Sequence, residues 1–204
     1  LPELELQKIE GLPYKVNAFP YSENPEEWGG VFRRAILSLG LDGKRIGVEP
    51  RQMRLLEFNY LHGSVTGAEF PDASQVVSRL RIHKDDSEIA AIRQAVQVAQ
   101  KALEALIPHI KIGMTEEQVA AELLLQLLRA GTQPELSFSP IVSSGPNGAN
   151  PHATPSQRKL QAGDLLVIDW GALSGGYVSD LTRTFAVGEV DEEYQKIHRI
   201  VQEA

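Results

Sequence analysis

The amino-acid sequence predicts an α+β protein. Three features carry that expectation. Helices and short strands alternate through roughly the first eighty residues, two long amphipathic helices follow, and a strand–turn–strand pair comes near the end.

In chain order, residues 26–40 (EEWGGVFRRAILSLG) space their apolar side chains as a helix does and end at Gly40. Residues 44–48 read as a short strand. Pro50 suits the first turn of a helix over 51–61, with Gly63 as its stop. Residues 66–70 read as extended, and Asp72 can cap a short helix over 73–80. This alternation suggests part of an α/β layer. Composition then shifts at 81–88 (RIHKDDSE). A long helix follows over 86–107, with Ile89, Ile92, Val96, Ala99, Leu103 and Leu106 at helical spacing and Pro108 as its end. In the next helix Thr115 is the cap, Gln118 completes a capping box and Gly131 is the stop. Its middle, 119–128, is apolar nearly all round, which predicts deep burial. Gly, Pro, Ser and Asn crowd residues 139–156. Strands over 164–172 and 177–187 flank Ser174-Gly175-Gly176, and a last helix starts near Asp191. There is no internal repeat and no low-complexity tract.

Composition narrows the function classes. The chain has 204 residues and a formal net charge of −7, which argues against a partner held through nucleic-acid phosphates. It contains no cysteine, so disulfides and thiolate metal sites are excluded and any metal must be held by oxygen or imidazole. That fits a reducing compartment, and a cytoplasmic location is the expectation. No stretch approaches the ~18 apolar residues of a membrane span, and the start, Leu1-Pro2-Glu3-Leu4-Glu5, has no signal-peptide character. The missing initiator Met suggests a trimmed or truncated chain.

The informative segment is 164–188, DLLVIDWGALSGGYVSDLTRTFAVG. A two-residue loop at Ser174-Gly175 would set Asp169 directly across from Asp180, Val167 across from Thr182 and Gly171 across from Val178. Opposed Cβ atoms lie ~4.5–5.5 Å apart on one face, so two ionised carboxylates there repel unless a cation sits between them. Three fates suit such a pair: metal ligation, solvation on an open sheet face, or pairing with Arg183 or a remote Lys. The apolar run around Asp169 favours a counter-charge or a metal, because a buried carboxylate needs one.

Asn150-Pro151-His152-Ala153 lies in the Gly/Pro-rich stretch before this pair. A loop histidine can donate a hydrogen bond, bind metal or shuttle protons, although a plain surface histidine is the commoner case. His62, His83, His109 and His198 read as structural or solvated. Gly145-Pro146-Asn147-Gly148 lacks the Lys-Ser/Thr of a phosphate loop and is rejected as one.

The segments SFSPIVSSGPNGANPHATPS, RKLQAGDLLVIDWGA and YVSDLTRTFAVG resemble the catalytic domain of the pita-bread metallopeptidases, the Xaa-Pro aminopeptidases (aminopeptidase P) and Xaa-Pro dipeptidases (prolidase). The resemblance implies a partial creatinase-like N-terminal domain over 1–79 and the first half of a pita-bread domain over 80–204. It further implies that Asp169 chelates one metal ion, that Asp180 bridges two, and that His152 contacts substrate near the scissile bond. Thr182 is expected to support a ligand carboxylate. The implied cofactors are two divalent ions, manganese first and then cobalt or zinc. The implied substrates are peptides with proline second, with neither nucleic acid nor membrane as partner and a homodimer in keeping with the family. The family's remaining ligands, a His and two Glu, are absent from these 204 residues, so the expectation is a fragment inactive by itself. Aminopeptidase P is preferred over prolidase; the alternative is a non-catalytic pita-bread module that binds peptides or proteins.

Overall fold

A computed structural model describes residues 1–203. It divides into two compact units, Leu1–His83 and Lys84–Ala204.

In the first unit a 3-10 segment (Glu3–Ile9), which the sequence does not announce, precedes α1 (Pro25–Leu39), α2 (Leu55–Ser64) and α3 (Ser74–Ile82). Asn24 caps α1 by accepting from the Glu26 N–H, Pro25 fills the first turn, and Gly40 closes the helix at φ 60°. The expected strands at 44–48 and 66–70 are reduced to parallel bridges, Arg45 with Glu69 and Val48 with Asp72. The helix expected over 51–61 begins four residues later, after a turn in which Met53 and Gln52 donate to the Glu49 carbonyl. Gly63 lies inside that helix rather than stopping it. Phe32 stacks on Tyr60 at 5.2 Å, tying α1 to α2.

The second unit holds α4 (Asp86–Leu106), α5 (Glu116–Ala130), β1 (Ile141–Ser144), β2 (Leu165–Trp170), β3 (Leu173–Ser174), β4 (Tyr177–Val178), β5 (Leu181–Ala186) and α6 (Glu192–Glu203). Both long helices carry full capping boxes, Asp85 with Glu88 and Thr115 with Gln118. Strands β1, β2 and β5 form an antiparallel sheet with β2 in the middle. Period-2 alternation sends Leu166, Ile168 and Trp170 into the core, where they meet Val98, Ala99, Ala102 and Leu106 of α4 and Val119, Leu123 and Leu127 of α5. The alanines on α4 leave room for the Trp170 ring, whose indole N–H donates to the Ala99 carbonyl at 2.9 Å. Helix α5 is not buried all round as its composition predicts. Leu125 and Leu128 are about half exposed, and one stripe alone faces the core.

Candidate metal centre

The opposite face of the sheet carries the acidic residues. Strand pairing sets Asp169 across from Thr182, Val167 across from Thr184 and Leu165 across from Ala186. Leu173 pairs with Val178 and Ser174 with Tyr177, so the two-residue turn is Gly175-Gly176. Both glycines have positive φ, 57° and 80°, as a two-residue hairpin turn requires. The register expected from a Ser174-Gly175 turn is therefore corrected by two residues. Asp180 is not across from Asp169 but falls at the level of Gly171, one diagonal step away. Because the slip is even, Asp169, Thr182 and Asp180 keep one side of the hairpin, and diagonal neighbours still lie only ~7–8 Å apart.

Between Trp170 and Leu173 the ladder is interrupted and the two arms come unusually close. Ser179 donates from its backbone to the Ala172 carbonyl at 2.9 Å, and its hydroxyl accepts from the Ala172 N–H at 3.0 Å. A side chain at position 171 would overlap the Ser179 carbonyl oxygen, so only glycine fits.

Asp169 is half-buried, and its Oδ1 is a buried oxygen with no hydrogen-bond partner among the described residues. Asp180 is exposed. Among the described residues no ion pair engages either aspartate. Arg183, a counter-charge considered from sequence, lies opposite Ile168 and donates to the Thr182 carbonyl at 2.7 Å. An orphaned carboxylate oxygen with a second carboxylate on the same face suits a hard divalent cation. Among the described residues no three acidic or histidine side chains converge, so the two aspartates make a partial donor set. The Ser137 hydroxyl, beside Gly171, is likewise buried without a partner.

His152 is exposed, on a loop between β1 and β2, and its backbone N–H donates to Asn150 Oδ1 at 3.0 Å. The loop opens with a 3-10 turn, Gly145–Ala149. Gly148 in that turn approaches the Val167 side chain, on the sheet face that also carries Asp169. The loop thus starts over the acidic face.

A second cluster was not foreseen. Glu116, in the first turn of α5, is wholly buried. Its Oε1 accepts from the Ser144 N–H at 2.7 Å and hydroxyl at 2.8 Å, and its Oε2 from the Ser156 N–H at 3.1 Å and hydroxyl at 2.6 Å. The Asn147 amide reaches both oxygens at 3.1 Å. Burial pushes this carboxyl up, but the hydrogen bonds from Ser156, Ser144 and Asn147 outweigh it and hold it below its ordinary range. Beside it Arg158 forms a bidentate pair with Asp164, at 2.6 and 2.8 Å. The hydrogen bond from Arg158 lowers the Asp164 carboxyl, and the same bond raises the guanidinium. Gly145 lets the chain pass this pair, with φ 51° and no space for a Cβ. Sequence offers no signal for Glu116: its neighbour Glu117 stands in the same helical turn and is exposed.

These features match known proteins. A curated relative from Staphylococcus haemolyticus, described as an uncharacterized peptidase, is 30% identical over the whole chain. An X-Pro aminopeptidase from Thermotoga maritima superposes with a TM-score of 0.82 at 26% identity, over all of this chain and 55% of that one. A prolidase from Pyrococcus furiosus superposes with a TM-score of 0.81 at 29% identity, over all of this chain and 56% of that one. The chain spans about half the length of the curated relatives it matches, 55% of the Staphylococcus haemolyticus protein. The α+β expectation and the pita-bread, creatinase-like resemblance both hold over that shared half. The family model for metallopeptidases M24 matches residues 90–204, more than half of the sequence, and the chain belongs to metallopeptidase family M24.

Proposed function

We propose that the protein is a metal-dependent peptidase that hydrolyses the bond between an N-terminal residue and proline, of the aminopeptidase P type in preference to prolidase. The observation that carries the reading is the orphaned, buried Oδ1 of Asp169 on the sheet face it shares with Asp180. Asp169 and Asp180 would hold divalent metal, two ions in the complete site, with manganese the first candidate and cobalt or zinc next. Thr182, which pairs with Asp169 across the strands, would support that carboxylate. Bound divalent ions supply Lewis acidity toward a peptide carbonyl and make water a better nucleophile at neutral pH. His152, on its exposed loop, would contact the peptide beside the scissile bond. The reading includes a creatinase-like domain over 1–79 and the opening half of a pita-bread domain over 80–204. A cytoplasmic location and a homodimer complete it; among the described residues no helix is long and apolar enough to cross a membrane.

The test is release of the first residue from an Xaa-Pro peptide by the natural full-length protein, with and without added Mn²⁺. The expected result is metal-dependent release that Asp169→Asn abolishes. No release under any divalent metal would sink the peptidase reading. The 204-residue chain alone should turn over nothing and bind Mn²⁺ weakly.

A further inference from the structure

We propose that Glu116 is a positioning residue for His152, its buried carboxylate clamping both ends of the loop that presents the histidine. The inference rests on the reading of His152 as a substrate contact.

The five donor groups that meet Glu116 come from three residues of one segment. Ser144 ends β1 where the loop departs, Asn147 lies in its 3-10 turn, and Ser156 stands where the chain returns toward β2. Between these points the loop's own ties are short-range: Asn150 donates to the Asn147 carbonyl and Ala153 to the Asn150 carbonyl, both at 3.1 Å, and the His152 N–H donates to Asn150 Oδ1 at 3.0 Å. Besides the carboxylate, Arg158 bonds both serine hydroxyls, and the Asn147 amide donates to the Ser156 hydroxyl at 3.3 Å; Glu116 alone takes both N–H groups and both hydroxyl hydrogens of Ser144 and Ser156.

Neighbouring groups fix the direction of these bonds. Arg158 Nη1 donates to the Ser144 hydroxyl at 2.6 Å, and the Arg158 backbone N–H donates to the Ser156 hydroxyl at 3.1 Å. Each hydroxyl, already accepting, turns its own hydrogen toward Glu116. Asp164 in turn holds Arg158. The clamp is referenced to the core, because α5 is seated through Val119, Leu123 and Leu127, all essentially inaccessible. That core also seats the inner face of β2, whose outer face carries Asp169. The loop and the acidic face are therefore held against one rigid body.

A carboxylate is costly to bury, and removing its partners is costlier still. Glu117 shows that a first-turn glutamate of this helix can be solvated. The burial of Glu116 is thus accounted for by what it holds.

The experiment is a double-mutant cycle in the metal-loaded, full-length protein, Glu116→Gln against His152→Ala, read as kcat/KM on an Xaa-Pro peptide. Glu116→Gln replaces one acceptor oxygen with an N–H₂ that faces donors. It should lower kcat/KM by about 10- to 100-fold, the scale of outer-shell changes, but by less than about 2-fold once His152 is alanine. Amide hydrogen exchange over 145–156 should accelerate by at least about tenfold while α4 is unchanged. Mn²⁺ affinity should not move. Equal losses in both backgrounds, or unaltered loop exchange, would overturn the proposal. So would a Glu116→Gln enzyme as active as the parent when His152→Ala is impaired. If His152→Ala is itself as active as the parent, the reading of the histidine fails and this one fails with it. Should Glu116→Gln not fold, Ser156→Ala loosens one end alone and must show the same coupling to His152, with a smaller loss.

Discussion

Replacing Gly171 with alanine tests the close approach that brings the two acidic arms together. The new Cβ would lie 2.7 Å from Ser137 Oγ and 2.9 Å from Phe138 Cε1, and would overlap the Ser179 carbonyl oxygen. Ordinary carbon contacts begin near ~3.5 Å. The serine hydroxyl can rotate and the phenyl edge can yield. The Ser179 backbone cannot, because its N–H is bonded to Ala172 and its hydroxyl donates to the Ala95 carbonyl at 3.2 Å. The arms must therefore separate. Overpacking of this kind costs roughly 1–3 kcal/mol, and the stretched Ser179–Ala172 bonds add about 1 kcal/mol. At about 3 kcal/mol in all, with a urea slope of roughly 2–3 kcal/mol/M, the unfolding midpoint should fall by about 1 M. Fluorescence of Trp170 in a Trp28→Phe background reports the transition, as these are the chain's two tryptophans. Gly148→Ala is the matched control: its Cβ meets only Val167, at an ordinary 3.6 Å, and should shift stability by less than about 0.5 kcal/mol. A Gly171→Ala midpoint indistinguishable from that control would refute the steric reasoning.

Trp170→Ala should destabilise the protein by about 3–5 kcal/mol through the cavity it leaves, measurable by the same urea titration followed by circular dichroism. Thr115→Ala removes the oxygen that accepts from the Gln118 N–H at 3.1 Å and should cost about 1 kcal/mol by that method. Acid should unfold the second unit from the ordinary carboxylate range downward. Glu116 and Asp164 are both held below their ordinary values in the folded state, so the unfolded chain takes up protons first. Their contribution is complete above about pH 5 and is lost as pH falls through the lowered folded values. A melting temperature that stays flat from neutral pH down to about 3 would contradict this assignment.

The capped helices were legible in the sequence because a cap is a local event. Asp85 with Glu88 and Thr115 with Gln118 each satisfy donors three residues away, so short-range spacing suffices. Gly131 stops α5 for the same reason, at φ 99°. The parallel bridges Arg45–Glu69 and Val48–Asp72 of the first unit were less legible, since each pairs residues twenty-four positions apart. In that unit the start of α2 was misplaced, because Pro50 suited a first turn that the chain instead spends on a bend before Arg54.

At the hairpin, sequence placed the two aspartates on one face on the condition of a two-residue turn, and the slip of register found is even, which preserves sides. Which turn residues close the hairpin, and hence that Thr182 rather than Asp180 stands across from Asp169, was decided by tertiary structure. Ser174-Gly175 and Gly175-Gly176 are both acceptable turn pairs locally. What differs is which side chains meet on the inner face: Leu166 pairs with Phe185 and Trp170 with Leu181, where the other turn would set Arg183 and Ser179 against them. Glu116 is the extreme case. Its sequence neighbourhood describes a solvated helix start, and only the return of Ser144, Asn147 and Ser156 from up to forty residues away makes it a buried clamp.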